Sequence, residues 1–261
     1  GAAEVFDTVR YTHWGPVVYD DPEHPQHDLA MHWLAHYEPR GNDLTAFALL
    51  NRAKGYDDYT TALSEYHSPP QNFVFASRAG DISMWVNGQF PIRKGEQGRF
   101  IMDGSQTANA WDGFIPHAHK AHEKNPGRHF VFSANQRSTD IQYPYQYHGT
   151  FDDDRGRYLY RQLDSMQHIT VEDMQGLQND NYSIQAEEAL PLLLGLVDSD
   201  GLKASQKSYY EQLRGWDYRF EADRAAPAVF ECWWKNFYEL TWDEIIQLED
   251  QMEMLRPESW R

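Results

Sequence analysis

The chain has 261 residues, 41% hydrophobic and 15% aromatic, enough apolar material for a substantial core in one large domain or two smaller ones. Its 40 Asp and Glu outweigh 23 Lys and Arg to give a formal charge of -17, which repels phosphate backbones and anionic lipid, so no nucleic-acid or membrane partner is expected. No apolar run approaches the roughly 20 residues that span a bilayer, and Gly1-Ala2-Ala3-Glu4 reads as neither signal nor anchor.

From Leu29 to Tyr37 every odd position is apolar, the period of a half-buried strand, with His32 and His36 sharing the other face. Leu44 to Lys54 and Asp57 to Glu65 switch to helical spacing, with Asp43 and Asp57 as N-caps and Gly55 between them, which predicts a helical hairpin. Asn72-Phe73-Val74-Phe75-Ala76-Ser77, the turn Arg78-Ala79-Gly80-Asp81 and Ile82-Ser83-Met84-Trp85-Val86 form a β-hairpin signature. Residues 88–127 are rich in Gly, Pro and Asn and predict a folded, irregular loop, a kind of segment that often carries function. Arg128 to Ser133 reads as a strand, and helical character dominates from Asp153 onward. Thr170-Val171-Glu172-Asp173 opens one helix with a capping box, and Thr241-Trp242-Asp243-Glu244 opens another. The expected organisation is therefore α+β: a core over 1–165 containing the loop at 88–127, then a mainly helical region over 166–261.

The lone Cys232 lies in the aromatic run Phe230-Glu231-Cys232-Trp233-Trp234 and reads as a buried, inert thiol rather than a nucleophile. A nearly cysteine-free, acidic, Trp- and Tyr-rich chain suits a periplasmic or secreted enzyme, although many cytoplasmic proteins share that composition.

Several short motifs occur in a fixed order. They are Val9-Arg10-Tyr11-Thr12-His13-Trp14-Gly15-Pro16-Val17, then Asn72 to Ala76 with Gly80-Asp81-Ile82, and Trp111-Asp112-Gly113-Phe114-Ile115-Pro116. Gly127-Arg128-His129-Phe130-Val131-Phe132-Ser133-Ala134-Asn135-Gln136 follows, then Tyr143-Pro144 and Asp154-Arg155. Each is weak alone, but the ordered set over residues 9 to about 196 resembles the large subunit of penicillin acylases and the related acyl-homoserine-lactone acylases. The resemblance implies part of the αββα four-layer sandwich of N-terminal-nucleophile hydrolases, followed by a mainly helical region. It also implies hydrolysis of a linear amide joining an acyl group to an amine, through an acyl-enzyme. In that family autoproteolysis exposes a Ser, Thr or Cys whose own α-amine, with a pKa near 8, takes the hydroxyl proton. Gly1 has no side-chain nucleophile, so the expectation is a fragment, inactive alone, whose partners are a nucleophile-bearing segment, a small subunit and a small-molecule amide. The alternative is a non-catalytic binding or structural protein on the same scaffold.

By itself Asn135 reads as a turn residue at a strand end. The resemblance instead makes it the side-chain donor of an oxyanion hole. Arg155 matches a family arginine that orients this Asn or the substrate, while its local alternative is an ion pair with Asp152, Asp153 or Asp154. Arg161 is expected to be structural. Phe47 aligns with an aromatic wall of the acyl pocket and Gln71 with a usually apolar position, so the preferred acyl group need be neither phenylacetyl nor a long chain. For Phe47, plain helix core is an equal alternative.

His117-Ala118-His119-Lys120-Ala121-His122 has the residues for a zinc site but no companion Cys or carboxylate, and exposed loop histidines are the preferred reading. The family's calcium site uses an acid where this chain has Tyr145, Gln146 and Tyr147, which puts calcium in doubt. No metal and no cofactor are therefore expected. His13 is followed by Trp14 where the family has Gly, so it reads as a packed or hydrogen-bonded histidine near a strand end.

Overall fold

A computed structural model describes residues 4–23, 27–37, 42–95, 97–149 and 151–248. They divide into two compact units, one from 1–131 with 138–150 and the other from 132–137 with 151–261.

The first unit begins with a small antiparallel sheet of β1 (Tyr11–Thr12), β2 (Gly15–Tyr19) and β3 (Leu29–Ala30). Gly15 has φ +140°, and a Cβ there would stand 2.2 Å from the carbonyl oxygen of Met31, so only glycine allows the close approach that places the Met31 N–H 2.9 Å from the Pro16 carbonyl. The strand expected from Leu29 to Tyr37 stops at Ala30. β2 pairs with β3 only at Val17–Ala30 and Tyr19–Leu29, and a single 3-10 turn at Leu34–His36 then bends the chain. Alternation without a partner ladder does not hold a strand. Trp33 and Tyr37 end 53% and 43% exposed.

Next comes the helical hairpin, α1 (Asp43–Leu50) and α2 (Tyr56–Ser64), packed through the fully buried Ala46 and Ala62. Its caps differ from the expected ones. Asn42 caps α1 by accepting from Leu44 N at 3.1 Å, and Gly55 precedes α2. Asp43 is diverted because its carboxylate accepts from the backbone N–H of His67 at 2.6 Å, which ties α1 to the segment leading into the second sheet. Asp57 sits inside the first turn of α2, where an acid still complements the helix dipole.

The β-hairpin forms as expected from β4 (Gln71–Ala76) and β5 (Ile82–Asn87), with Gln71 opposite Asn87 and Ala76 opposite Ile82. Tyr59, Leu63 and Trp85 form the core beneath it, with Phe73 and Phe75 against them. The stretch 88–127 is largely irregular, but it ends in β6 (His122–Lys124), which pairs with the other edge of β5. The segment 128–133 joins no sheet, and the second edge of β5 is taken by β6 instead. His129, at φ +62°, also breaks the extended backbone.

His117 and His122 both stack on Trp85, at 4.7 and 4.0 Å between ring centres. Burial, with help from Lys120 close by, pushes His117 down to about 4. The unfolded chain takes up this proton near the ordinary 6.5, so stability present above pH 6.5 is lost as pH falls toward 4. Because the ring is only partly buried, the loss between pH 7 and 4.5 should be about 1–2 kcal/mol, below the full value of the shift. Urea unfolding at the two pH values should show wild type losing that much more than His117→Phe. Equal losses would mean that another group carries the acid sensitivity.

The second unit is helical: α3 (Asp154–Ser165), α4 (Val171–Gln178), α5 (Ile184–Gly195), α6 (Ala204–Arg214), α7 (Ala226–Thr241) and α8 (Asp243–Leu248). The Thr170–Asp173 capping box forms as expected. A helix does begin within Thr241–Glu244, at Asp243, but Thr241 is the last residue of α7 rather than the cap of α8. The core gathers Ala186 and Leu190 of α5, Leu213 of α6, Trp216, and Ala226 and Phe230 of α7. Cys232 is exposed, not buried: two residues beyond Phe230 turns it about 200° around the helix, away from that core.

Candidate active-site residues

Asn135 lies in the irregular segment 132–137, at φ +62°, a left-handed conformation that Asn tolerates better than most residues. Its neighbours fix it. Gln136 folds back so that its side-chain oxygen accepts from Ala134 N at 2.6 Å. The first turn of α3 then seats directly on Gln136, because Gly156 is buried and a Cβ there would stand 2.8 Å from the Gln136 Cβ.

This seating brings Arg155 to Asn135. Arg155 Nη2 donates to Asn135 Oδ1 at 3.0 Å, while Arg155 Nε donates to Asp152 Oδ2 at 3.0 Å. Asp152 is in turn held by Asp154 N, which donates to its other oxygen at 3.0 Å. The local ion pair and the contact to Asn135 were alternatives in the sequence, and the planar guanidinium makes both at once. A guanidinium only donates, so the amide must turn its oxygen toward Arg155 and keep its NH2 out of that bond. Both Asn135 and Arg155 are exposed among the described residues. Burial, then Asp152, raises the Asp154 carboxyl. Arg161 is structural as expected, pairing with Glu187 at 2.9 Å and lying over the rings of Tyr158 and Tyr182.

Phe47 and Gln71 belong to the first unit. Phe47 is 47% exposed, so it is not plain helix core; its ring meets Tyr66 edge-on at 5.7 Å and lies 6.4 Å from Phe73. Gln71 is exposed at the start of β4, two residues from Phe73 and so on the same face of the strand.

Each loop histidine already has a partner within the fold. His117 packs on Trp85, His119 bonds the Tyr145 hydroxyl at 2.6 Å, and His122 bonds the Lys120 carbonyl at 2.7 Å. They form no metal cluster among the described residues. Asp20, His27 and Asp28 do converge, but Arg10 pairs with both carboxylates, at 2.5 and 2.6 Å, and supplies the positive charge itself. Tyr145, Gln146 and Tyr147 offer no carboxylate, and the Tyr145 hydroxyl is engaged with His119, so these residues do not fit calcium. His13 sits exposed on the β1–β2 turn with its ring 4.5 Å from that of Trp14.

The fold is similar to that of a thermostable penicillin G acylase from Alcaligenes faecalis, with a TM-score of 0.67 and 19% identity over 92% of this chain and 44% of that one. It is thus a portion of the N-terminal-nucleophile hydrolase fold. The sequence profile of the penicillin amidase family matches residues 1–260, and the chain belongs to that family. It is 27% identical over 138 residues to the acyl-homoserine lactone acylase QuiP of Pseudomonas syringae pv. tomato, covering 53% of this chain and 17% of that protein. It is 31% identical over 94 residues to QuiP of Pseudomonas fluorescens Pf0-1, covering 36% of this chain and 11% of that protein. The chain therefore matches only about a sixth or less of the length of these curated relatives.

Proposed function

We propose that this chain is part of the large subunit of an amide hydrolase that cleaves an acyl group from an amine, and that Asn135 donates to the oxyanion of its tetrahedral intermediate. The observation that carries this reading is the 3.0 Å bond from Arg155 to Asn135 Oδ1, which engages the amide oxygen and leaves the NH2 outside that bond as a donor. Arg155 is then a positioning residue. Phe47 and Gln71 form part of the acyl wall, and the amide of Gln71 favours an acyl group with a polar atom to meet it.

The nucleophile lies on a further segment of the same precursor, as a Ser, Thr or Cys at a self-cleavage junction. Its side chain attacks the amide carbonyl carbon and passes its proton to its own α-amine, and the carbonyl oxygen becomes the oxyanion. Collapse expels the amine with that proton and leaves an acyl-enzyme, which water hydrolyses to the carboxylic acid. No step needs a metal or cofactor. The short length matched to the curated relatives supports a partner segment, as do the outer position of β4 in its sheet, with Val74 58% exposed, and Leu44 of α1, 77% exposed. We place the enzyme in the periplasm or outside the cell, consistent with its near-absence of cysteine. No helix among the described residues is long and apolar enough to cross a membrane.

Intact-mass analysis of the full-length gene product tests the class directly. Two chains divided before a Ser, Thr or Cys are expected. A single uncleaved chain with no such residue at a processing junction would favour a non-catalytic binding protein on this scaffold.

A further inference from the structure

The first unit contains a cavity of about 450 Å³ between the β1–β2 hairpin, β3 and the loop from Arg93 to Trp111. Its walls are tied together by bonds far apart in sequence. The Trp14 indole donates to the Gly104 carbonyl at 2.7 Å, and the His32 ring lies flat on Trp111, 3.8 Å between centres. Gln97 is buried behind the loop, accepting from Lys94 N at 2.9 Å and donating to the Asn109 carbonyl at 2.8 Å. Trp14, Trp111, Ile101 and Met102 make the lining largely apolar.

One cation enters this lining unaccompanied. Arg93 is half-buried, pairs with no carboxylate among the described residues, and has a buried Nε without a protein acceptor. Leaving a buried donor unmet costs about 1–3 kcal/mol. The guanidinium is nonetheless seated by design of the loop: Gly98 has φ +85°, and a Cβ there would stand 2.6 Å from Arg93 Nη1. The two acids that share the lining are already engaged. Asp28 pairs with Arg10 at 2.6 Å, and Asp103 accepts from Ser105 N at 2.9 Å and from its hydroxyl at 2.7 Å. With both lining acids engaged elsewhere, Arg93 has room for an anion from outside.

We propose that this cavity binds a small organic monocarboxylate, with its carboxylate on Arg93 and its apolar body against Trp14, Trp111, Ile101 and Met102. The guanidinium fork matches two carboxylate oxygens. A single cation neutralises a monoanion, and the aromatic walls reward an apolar body that inorganic phosphate lacks. The site does not depend on the amide-hydrolase reading, because nothing in it requires Asn135 or a nucleophile.

Calorimetric titration of the purified full chain with 3-phenylpropanoate, 3-phenylpropanamide and inorganic phosphate tests the assignment. Saturable binding of the acid is expected, with the neutral amide and phosphate weaker by about tenfold or more, the scale of one charge-assisted pair. Arg93→Gln should weaken the acid by a similar factor, and Ile101→Trp should block it by filling the cavity while leaving Arg93 in place. Should Arg93→Gln fail to fold, the acid–amide comparison and Ile101→Trp still decide. Absence of saturable acid binding at millimolar concentrations overturns the proposal, as do equal affinities for acid and amide, or wild-type affinity in folded Arg93→Gln or Ile101→Trp. Phosphate binding as tightly as the acid would overturn the carboxylate assignment.

Discussion

Asn135→Ala in the cleaved, full-length enzyme is expected to lower kcat by about 10²–10³ while changing folding and substrate binding far less. The amide NH2 left free by Arg155 is a neutral donor whose hydrogen bond strengthens as charge develops on the carbonyl oxygen, so its loss falls mainly on the transition state. Asn135 is exposed, and its truncation leaves no cavity, so the usual core penalty does not apply. One cost is shared with folding, since alanine is less tolerant than asparagine of φ +62°. Comparing Asn135→Ala with Asn135→Asp separates the two effects, because aspartate tolerates the conformation but cannot donate when ionised. If Asn135→Asp retains near-wild-type kcat, Asn135 is not the donor. Cleavage must be verified by mass in each variant, because the same amide could act during maturation.

The 261-residue chain on its own is expected to show no turnover of phenylacetyl amides, penicillins or acyl-homoserine lactones. An oxyanion donor accelerates a reaction only after a nucleophile has attacked, and on the proposed reading that nucleophile is carried by another segment. The expected deficit is therefore the whole catalytic effect, far beyond the 10²–10³ of a single donor. Turnover that co-purifies with this chain through two unrelated separations would sink the fragment reading and require a nucleophile within these residues. Restoration of activity on adding the missing segments would support it.

Local chemistry made much of the fold legible in the sequence. The β4–β5 hairpin is carried by alternation and a Gly-containing turn, and the α4 start by a capping box, both complete within a few residues. The family followed from short motifs in order. Expectations failed where the deciding partner is distant. The predicted strand past Ala30 lacks a ladder, and Arg128 to Ser133 joins no sheet, the second edge of β5 going to His122–Lys124 instead. Asp43 leaves its cap for the backbone of His67, 24 residues on. Asn135 could be proposed from the sequence, but which way its amide points could not. That orientation follows from Gly156 letting α3 settle on Gln136, which brings a donor-only guanidinium to the amide oxygen. The cavity around Arg93 was not legible at all: Trp14, His32 and Trp111 carry no shared motif, and only the tertiary fold brings them to one wall. Sequence thus determined what closes within a turn of chain, and tertiary structure decided each feature that depends on which distant group arrives, because hydrogen-bond direction and pairing are properties of neighbours in space.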